Sequence, residues 1–555
     1  MDLVIFESNK PLVLKALGNG EFDYVESASE VFETEFFQYI RAKSILAKLA
    51  ESYPSPRKKQ DVPLWFYVAS NLSMRLHGVH SFNAFPLVVR GGGMLNAFGP
   101  KAGRKVIHPD TGDVTLACAG FNNKNHYDRQ TPCDQDFLRK MSKDTRADSQ
   151  MSWFNQDVMR IFRRSFDKEG LFLGDASYLF VPDNPNYEGS VRLLFDEDNH
   201  PVSHKAYQKM SDDQKSRCQW RRGYKMVTLL HTNRHLDFFY FVAVKVISAK
   251  ANECPVLYEL VEQFVQAVGK GVIKRLILDR GFLDGENISY CKKHYDIDIL
   301  IPVRRNMDIF EDATALFQQP DVSWVRCEEP KEQKTLPPRP RPQAIVKREE
   351  KRRKTVEKRN EEKPPPTPKK TIVKREAAAI GEFRSWSSCT VPLSVVANRE
   401  HYADGHQETW LLIDTKDVKD PTQSRREYHL RTAIEERYRH LKCFIDLTHF
   451  TSCAFSMVVN QVVFIMLAYN LLQLYLLRQG RKALNKKTPP RVRQQLLPSD
   501  QHIIVYWQNY YGLFSPYELI EIIATLGDEA RKKLAQKSRR LRRELTDTMT
   551  NPRAP

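Results

Sequence analysis

The chain has 555 residues, 41% of them hydrophobic, with 86 Lys and Arg against 68 Asp and Glu and a formal charge of +18 at pH 7. That length exceeds one core and points to roughly three or four domains, while the apolar fraction argues against wholesale disorder. The positive surplus favours a polyanionic partner, because each phosphate neutralised by Lys or Arg releases a condensed counterion. Nine cysteines, scattered from Cys118 to Cys453 without a C-x-x-C pair, argue against a disulfide framework and a structural zinc site and fit a reducing cytosol. The opening stretch MDLVIFESNKPLVLK has too short an apolar run and too early an acid for a secretory signal.

Residues 1–150 combine helical periodicity (27–53) with a glycine-rich stretch, RGGGMLNAFGPK (90–101). The glycines do not match a phosphate-binding loop and read as turns. Arg90, Lys101, Arg104 and Lys105 form a modest basic patch around them. From about 165 the texture becomes strand-like: 171–181, 224–232 and 238–248 are rich in β-branched and aromatic residues between polar turns. A helical pattern (254–268), a short apolar run (274–279), a second helix candidate and the run IDILIPV (297–303) follow. Three strands and then alternating helix and strand predict a mixed α/β sheet with helices on its faces.

Residues 328–378 are dominated by Lys, Arg, Glu and Pro, with nine prolines between Pro330 and Pro368, and read as a disordered basic tether. Strand-like runs resume at 390–397 and 409–415, and a long helical tract begins near Tyr428. Residues 454–477 carry no charge and are long enough to cross a bilayer. Asn460, Gln461, Asn470 and Gln473 interrupt that run, which favours a buried core helix over a membrane anchor. Residues 529–547 form a strongly basic helix candidate.

The chemistry concentrates around YHLRTAIEERYRHLK (428–442). Tyr428, Arg431, Glu435 and Lys442, placed on one continuous helix, fall within about 60° of one another at ~100° per residue. Such a stripe sets one acid among cations and a phenol; alone it also describes a solvated helix face. Asp175 follows the strand residues LFLG, and Asp279 follows the strand KRLIL in the tetrapeptide DRGF. Strand ends are the usual active-site positions of open α/β sheets. Two aspartates and a glutamate supply hard oxygen ligands suited to Mg²⁺ or Mn²⁺. Two such ions about 4 Å apart can activate the attacking oxygen and stabilise the leaving oxygen of a phosphodiester displacement. Glu436 competes with Glu435 for the third position but lies about 100° round the helix.

This ordered set, with Trp410 in the strand TWLLIDT, resembles the DDE transposases of bacterial insertion sequences, in the group carrying the Tyr-Arg-Glu-Lys signature Y-x2-R-x3-E-x6-K. The resemblance covers roughly residues 165–305 and 405–480. It implies an α/β, RNase H-like catalytic core of a mixed sheet flanked by helices, interrupted by a mainly β insertion. A helical DNA-end-binding domain (1–150) would precede it and a basic helical region (481–555) would follow. The core would occupy 151–305 and 418–480, with the insertion, including the tether, over 306–417. By likeness, Asp175, Asp279 and Glu435 bind two metal ions, Tyr428, Arg431 and Lys442 grip DNA phosphates, and Trp410 stacks on a flipped base. Arg280 either touches DNA or pairs with a carboxylate. The implied partners are double-stranded DNA, as terminal inverted repeats and target, and a second copy of the chain in a synaptic homodimer, in a nucleoid-associated cytoplasmic setting without a membrane. A catalytically inactive DNA-binding regulator and an RNase H-like structure-specific nuclease remain as alternative functions.

Overall fold

The run LFLGDASYLFV forms strand β1 (Leu171–Val181) in the computed structural model of the chain. The structure describes residues 7–85, 104–107, 114–117, 133–327 and 372–535, less short breaks at 22–23, 29–30, 60–61, 134, 165–168, 198–199, 489–491, 493–501, 509 and 534. Strand β1 pairs antiparallel with β2 (Gln219–Thr232) and parallel with β4 (Arg275–Leu278). The other edge of β2 carries β3 (Phe239–Ser248) and the short strand Val191–Phe195. Alternate side chains on a strand point to opposite faces. On one face Phe162, from the helix Ala147–Arg163, packs against Phe172, Tyr240 and Phe264. Phe264 belongs to the helix Glu253–Val268 on the same side. On the other face Phe241 meets Tyr438 and Tyr469, from the helices Thr432–Phe444 and Phe455–Arg478. Helices on both faces explain why β2 is buried at every position from Gly223 to Thr232 rather than at alternate ones.

The helix Phe455–Arg478 is the one described helix long and apolar enough to cross a membrane, and 83% of its apolar window is buried inside the protein. Its polar residues show what it is built for. Asn470 accepts from the Phe241 N–H and donates to the Phe241 carbonyl, both at 2.8 Å, and Gln473 accepts from the Phe239 N–H at 3.3 Å. Asn155, from the helix Ala147–Arg163, brackets Val244 in the same way, at 2.8 and 3.1 Å. These amides satisfy the outer backbone of β3, which otherwise would present a row of unpaired groups. Asn460 donates to the Tyr67 hydroxyl (3.0 Å) and to Gln150 (3.1 Å), tying in the preceding helices, and Gln461 donates to the Leu447 carbonyl at 3.0 Å.

By its contacts the chain forms two compact units: residues 1–282, 294–297 and 430–555 make one, and 283–293 with 298–429 the other. The first unit corrects the expected boundaries at both ends of the chain. Position 150 falls inside the helix Ala147–Arg163. Strands Glu7–Ser8, Tyr24–Ala28, His502–Trp507 and Tyr510–Phe514 form one four-stranded sheet, so the two ends are not separate helical regions. Val13, Leu17, Val505, Phe514, Leu519, Leu526 and Ala530 make the apolar core beneath it. Pairing between segments this far apart in sequence leaves no local pattern to read. The glycine-rich stretch (90–101) and most of the basic C-terminal tract, beyond 535, lie outside the described residues, and the side chains of Arg104 and Lys105 are likewise not described.

The second unit is an antiparallel array of β5 (Asp298–Pro302), β8 (Gln407–Asp414), β7 (Leu393–Tyr402) and β6 (Ile372–Phe383), in that order, with Val325–Arg326 beyond β6. The tether expected over 328–378 is corrected at its end. Residues 372–378 belong to β6, paired with β7, because the small apolar run AAAI there can be buried; residues 328–371 lie outside the described part. The unit also runs past 417. Its helix Pro421–His429 is held by Arg425, which hydrogen-bonds Asn398 at 3.3 Å and pairs with Glu400, and by Ser424, which donates to Asp414 at 3.1 Å.

Asn470→Leu keeps the size of that side chain but strands the buried Phe241 N–H and carbonyl. It is expected to lower unfolding stability by about 2 kcal/mol or more at an unchanged m-value, measured by urea titration. An unaltered midpoint would show that the β3 edge does not depend on this amide.

Candidate catalytic carboxylate site

Along the parallel pair of β1 and β4, Gly174 stands opposite Leu278. The next residue on each chain segment is an acid, so Asp175 and Asp279 occupy equivalent neighbouring positions. Gly174 permits this approach. A Cβ there would lie 2.6 Å from the Leu278 side chain and 2.7 Å from that of Leu257 in the helix Glu253–Val268. Alternation then turns Asp175 to the opposite face, toward the helix Thr432–Phe444.

Two hydrogen bonds of Tyr438 register that helix on the sheet: its hydroxyl donates to the Asp175 carbonyl (2.9 Å) and lies 2.6 Å from Thr228 Oγ1. Lys442, one further turn along, donates to Ser177 Oγ at 2.8 Å and to the Tyr178 carbonyl at 2.6 Å. Its burial pulls the ammonium down to about 8, with Asp175 acting the other way. Arg431 sits between two acids: Nη2 donates to Glu435 Oε1 at 2.5 Å, and Nη1 is 3.8 Å from Asp175 Oδ2. Burial raises the Asp175 carboxyl to about 7 against the pull of Arg431 and of the Ala176 N–H, and the charges of Asp279 and Glu435 add to the rise. The Asp279 carboxylate accepts the Arg280 N–H at 2.8 Å, and Arg280 itself is exposed in the turn Arg280–Phe282. The Tyr258 hydroxyl fixes that turn by donating to the Phe282 carbonyl at 2.9 Å.

Glu436 is engaged elsewhere. Arg439, on its own helix, donates to it at 2.6 Å and holds its carboxyl below the usual range, and His440 lies 3.1 Å away. The signature is not carried on one helix. The helix Pro421–His429 ends before Leu430 and a new one starts at Thr432, with the tighter bonds Ala433 N–H to Leu430 O and Ile434 N–H to Arg431 O between them. Tyr428 therefore belongs to the second unit and Arg431, Glu435 and Lys442 to the first. In the second unit Trp410, opposite Asn398 on β7, is half-buried; the Arg425 guanidinium lies 5.2 Å from its ring centre and the Tyr428 ring 5.8 Å. Sequence reasoning missed Tyr438, Thr228 and Ser177. Tyr438 stands one turn after Glu435, and that spacing was the available signal.

Among the described residues no three His, Cys, Asp or Glu side chains converge tightly enough to hold an ion in this conformation. The donor chemistry nonetheless fits a hard dication. A buried carboxyl is raised by two further carboxylates beside it, and a guanidinium reaches both Asp175 and Glu435 as a counter-charge. A family model described as a transposase DDE domain matches residues 188–471, slightly more than half of the chain. The matched span includes Asp279 and Glu435 and begins after Asp175. No curated protein matches the chain.

The raised Asp175 carboxyl has a thermodynamic sign. The folded chain keeps this proton up to about pH 7, whereas the unfolded chain releases it near 3.8. Stability from this group is therefore present at low pH and lost as pH rises between those values. In EDTA, Asp175→Asn is expected to unfold at higher urea than the parent at pH 8, with the difference closing toward pH 4. Parallel pH profiles would show that the carboxyl is ionised and solvated in the metal-free fold.

Proposed function

The chain belongs to the transposase DDE domain family, and from that premise we propose that it cuts DNA at transposon ends and joins the freed 3′ ends to target DNA by a cut-and-paste route. The observation that carries the reading is the alignment of Asp175 and Asp279 on adjacent parallel strands, with Glu435 near enough to raise Asp175. These three carboxylates would hold two Mg²⁺ or Mn²⁺ ions. When bound, such ions supply Lewis acidity that activates the attacking oxygen and offsets charge on the leaving one. Arg431, released from Glu435, would then turn its guanidinium to a DNA phosphate, a bidentate partner of similar geometry. Lys442 would hold a neighbouring phosphate while anchored to Ser177 and Tyr178 within β1. Tyr428 would contact the backbone, Arg280 the DNA beside Asp279, and Trp410 a base flipped from the stack.

The substrates on this reading are terminal inverted repeats and target duplex, brought together by two copies of the chain in the nucleoid-associated cytoplasm, and the spacing of Tyr428, Arg431, Glu435 and Lys442 supports a place in the Tyr-Arg-Glu-Lys group. Asp175→Asn, Asp279→Asn and Glu435→Gln are each expected to reduce Mg²⁺-dependent cleavage of DNA carrying the flanking inverted repeats by at least a hundredfold while leaving end binding within about twofold. Glu436→Gln should cleave nearly as the parent does. Cleavage retained by any triad variant would remove that residue from the set. Cleavage without later joining of the 3′ end into a plasmid would leave a nuclease and not a transposase.

Lys442→Ala and Trp410→Ala should fail differently. The first should weaken binding to every duplex and lower the salt slope by about one phosphate contact. The second should bind nearly normally and slow the step that needs an unstacked base. An abasic nucleotide beside the cleavage point should rescue Trp410→Ala and not Lys442→Ala. Equal responses would return Trp410 to a packing role.

A further inference from the structure

The ends of three helices of the first unit, Val31–Ala42, Ala147–Arg163 and Phe455–Arg478, line a cavity of about 250 Å³. Its floor is aliphatic, made by Ile45, Ile161, Leu474 and Leu477, and its rim carries Lys43, Lys48, Arg160, Arg164 and Arg478 beside the Tyr39 phenol. No Asp or Glu lines it. Arg160 pairs with Asp157 just outside, and Arg478 hydrogen-bonds Tyr39. Among the described residues no carboxylate pairs with Lys43, Lys48 or Arg164. None of these side chains belongs to the carboxylate site.

Cations are expected at helix C-termini, where each macrodipole presents roughly half a negative charge. Three such ends together with Asp157 balance about half of the five rim cations, and the N-terminal end of the helix Ile45–Ser52 adds about half a positive charge, leaving a surplus of about three. A fatty acyl carboxylate would bring one negative charge, whereas two successive phosphodiesters bring two. The floor offers an apolar surface to the face of a base, and the volume suits one nucleotide, not a base pair. We propose that this cavity seats one nucleotide of a DNA strand, its flanking phosphates on Lys43, Lys48 and Arg164 and its base against Ile45, Ile161 and Leu477. The choice of a DNA strand over a free nucleotide rests on the transposase reading; the phosphate-and-base chemistry does not.

The test uses the full chain and a fluorescent single-stranded oligonucleotide, followed by anisotropy across a salt series, with dAMP as competitor. The exposed pair Lys43→Gln/Arg164→Gln should weaken binding about tenfold and flatten the salt dependence by roughly two phosphate contacts. Ile161→Trp, which fills the floor and leaves the charge, should weaken binding several-fold at an unchanged salt slope. If Ile161→Trp does not fold by thermal unfolding, Leu477→Trp takes its place. Indifference of binding to the charge pair overturns the proposal, and so does a response to the charge pair with none to a folded filling variant, which would mean a plain phosphate patch. Direct binding of dAMP at micromolar concentration that the variants weaken, with oligonucleotide binding unaffected by them, would assign the cavity to a free nucleotide and overturn the strand. A parent chain that cleaves no DNA yet shows these binding changes would sink the transposase reading and leave the cavity's assignment standing.

Discussion

The parallel pairing of β1 with β4 is the constraint on which the site depends. It places Asp175 and Asp279 side by side, and Gly174 leaves room for the Leu278 and Leu257 side chains, which a Cβ there would displace. The same backbone alternation that hides Gly174 against one helix aims Asp175 at the other. Tyr438 then fixes the second helix by its hydroxyl, bonded to the Asp175 carbonyl and close to Thr228. Three segments distant in sequence are thus registered by one glycine, one strand pairing and one phenol.

The electrostatics follow from that crowding. Burial and two neighbouring acids make the ionised form of Asp175 costly, and Arg431 offsets part of the cost while pairing with Glu435. A guanidinium in this position is a counter-ion for the metal-free carboxylates. On the proposed reading, the same side chain becomes available to a phosphate when dications take over the neutralisation. Lys442, half-buried and drawn down to about 8, is a packed cation joined to β1 as much as a surface charge.

The amides of the helix Phe455–Arg478 illustrate a different economy. A helix so apolar would suit a membrane by composition, but Asn470 and Gln473 each bond the backbone of β3 and Asn460 bonds side chains of the flanking helices. Buried amides of this kind cost several kcal/mol when unpaired. Asn470, with both its carbonyl oxygen and its amino group bonded to Phe241, specifies one register of helix against strand, in place of an edge open to further pairing.

Much of this was legible in sequence. Asp279 stands where a strand-like run ends, whereas Asp175, read as a strand end, lies inside β1, which continues to Val181; Glu435 and not Glu436 lies toward Asp175, the amide-interrupted helix is buried, and the mixed sheet matches the β-branched runs and their order. These features are local: periodicity, turn residues and residue type determine them without reference to distant chain. What only the tertiary structure decided is long-range. The two chain ends share one sheet, residues 372–378 are a strand because β7 is there to pair them, and the Tyr428–Lys442 tract is split at Leu430–Arg431 between two packed units. Helical periodicity continues smoothly across that break, so no side-chain pattern marks it. Likewise Tyr438 reads as one more aromatic on an amphipathic helix until β1 and β2 supply the Asp175 carbonyl and Thr228, since a hydrogen bond between elements exists only once both have been placed.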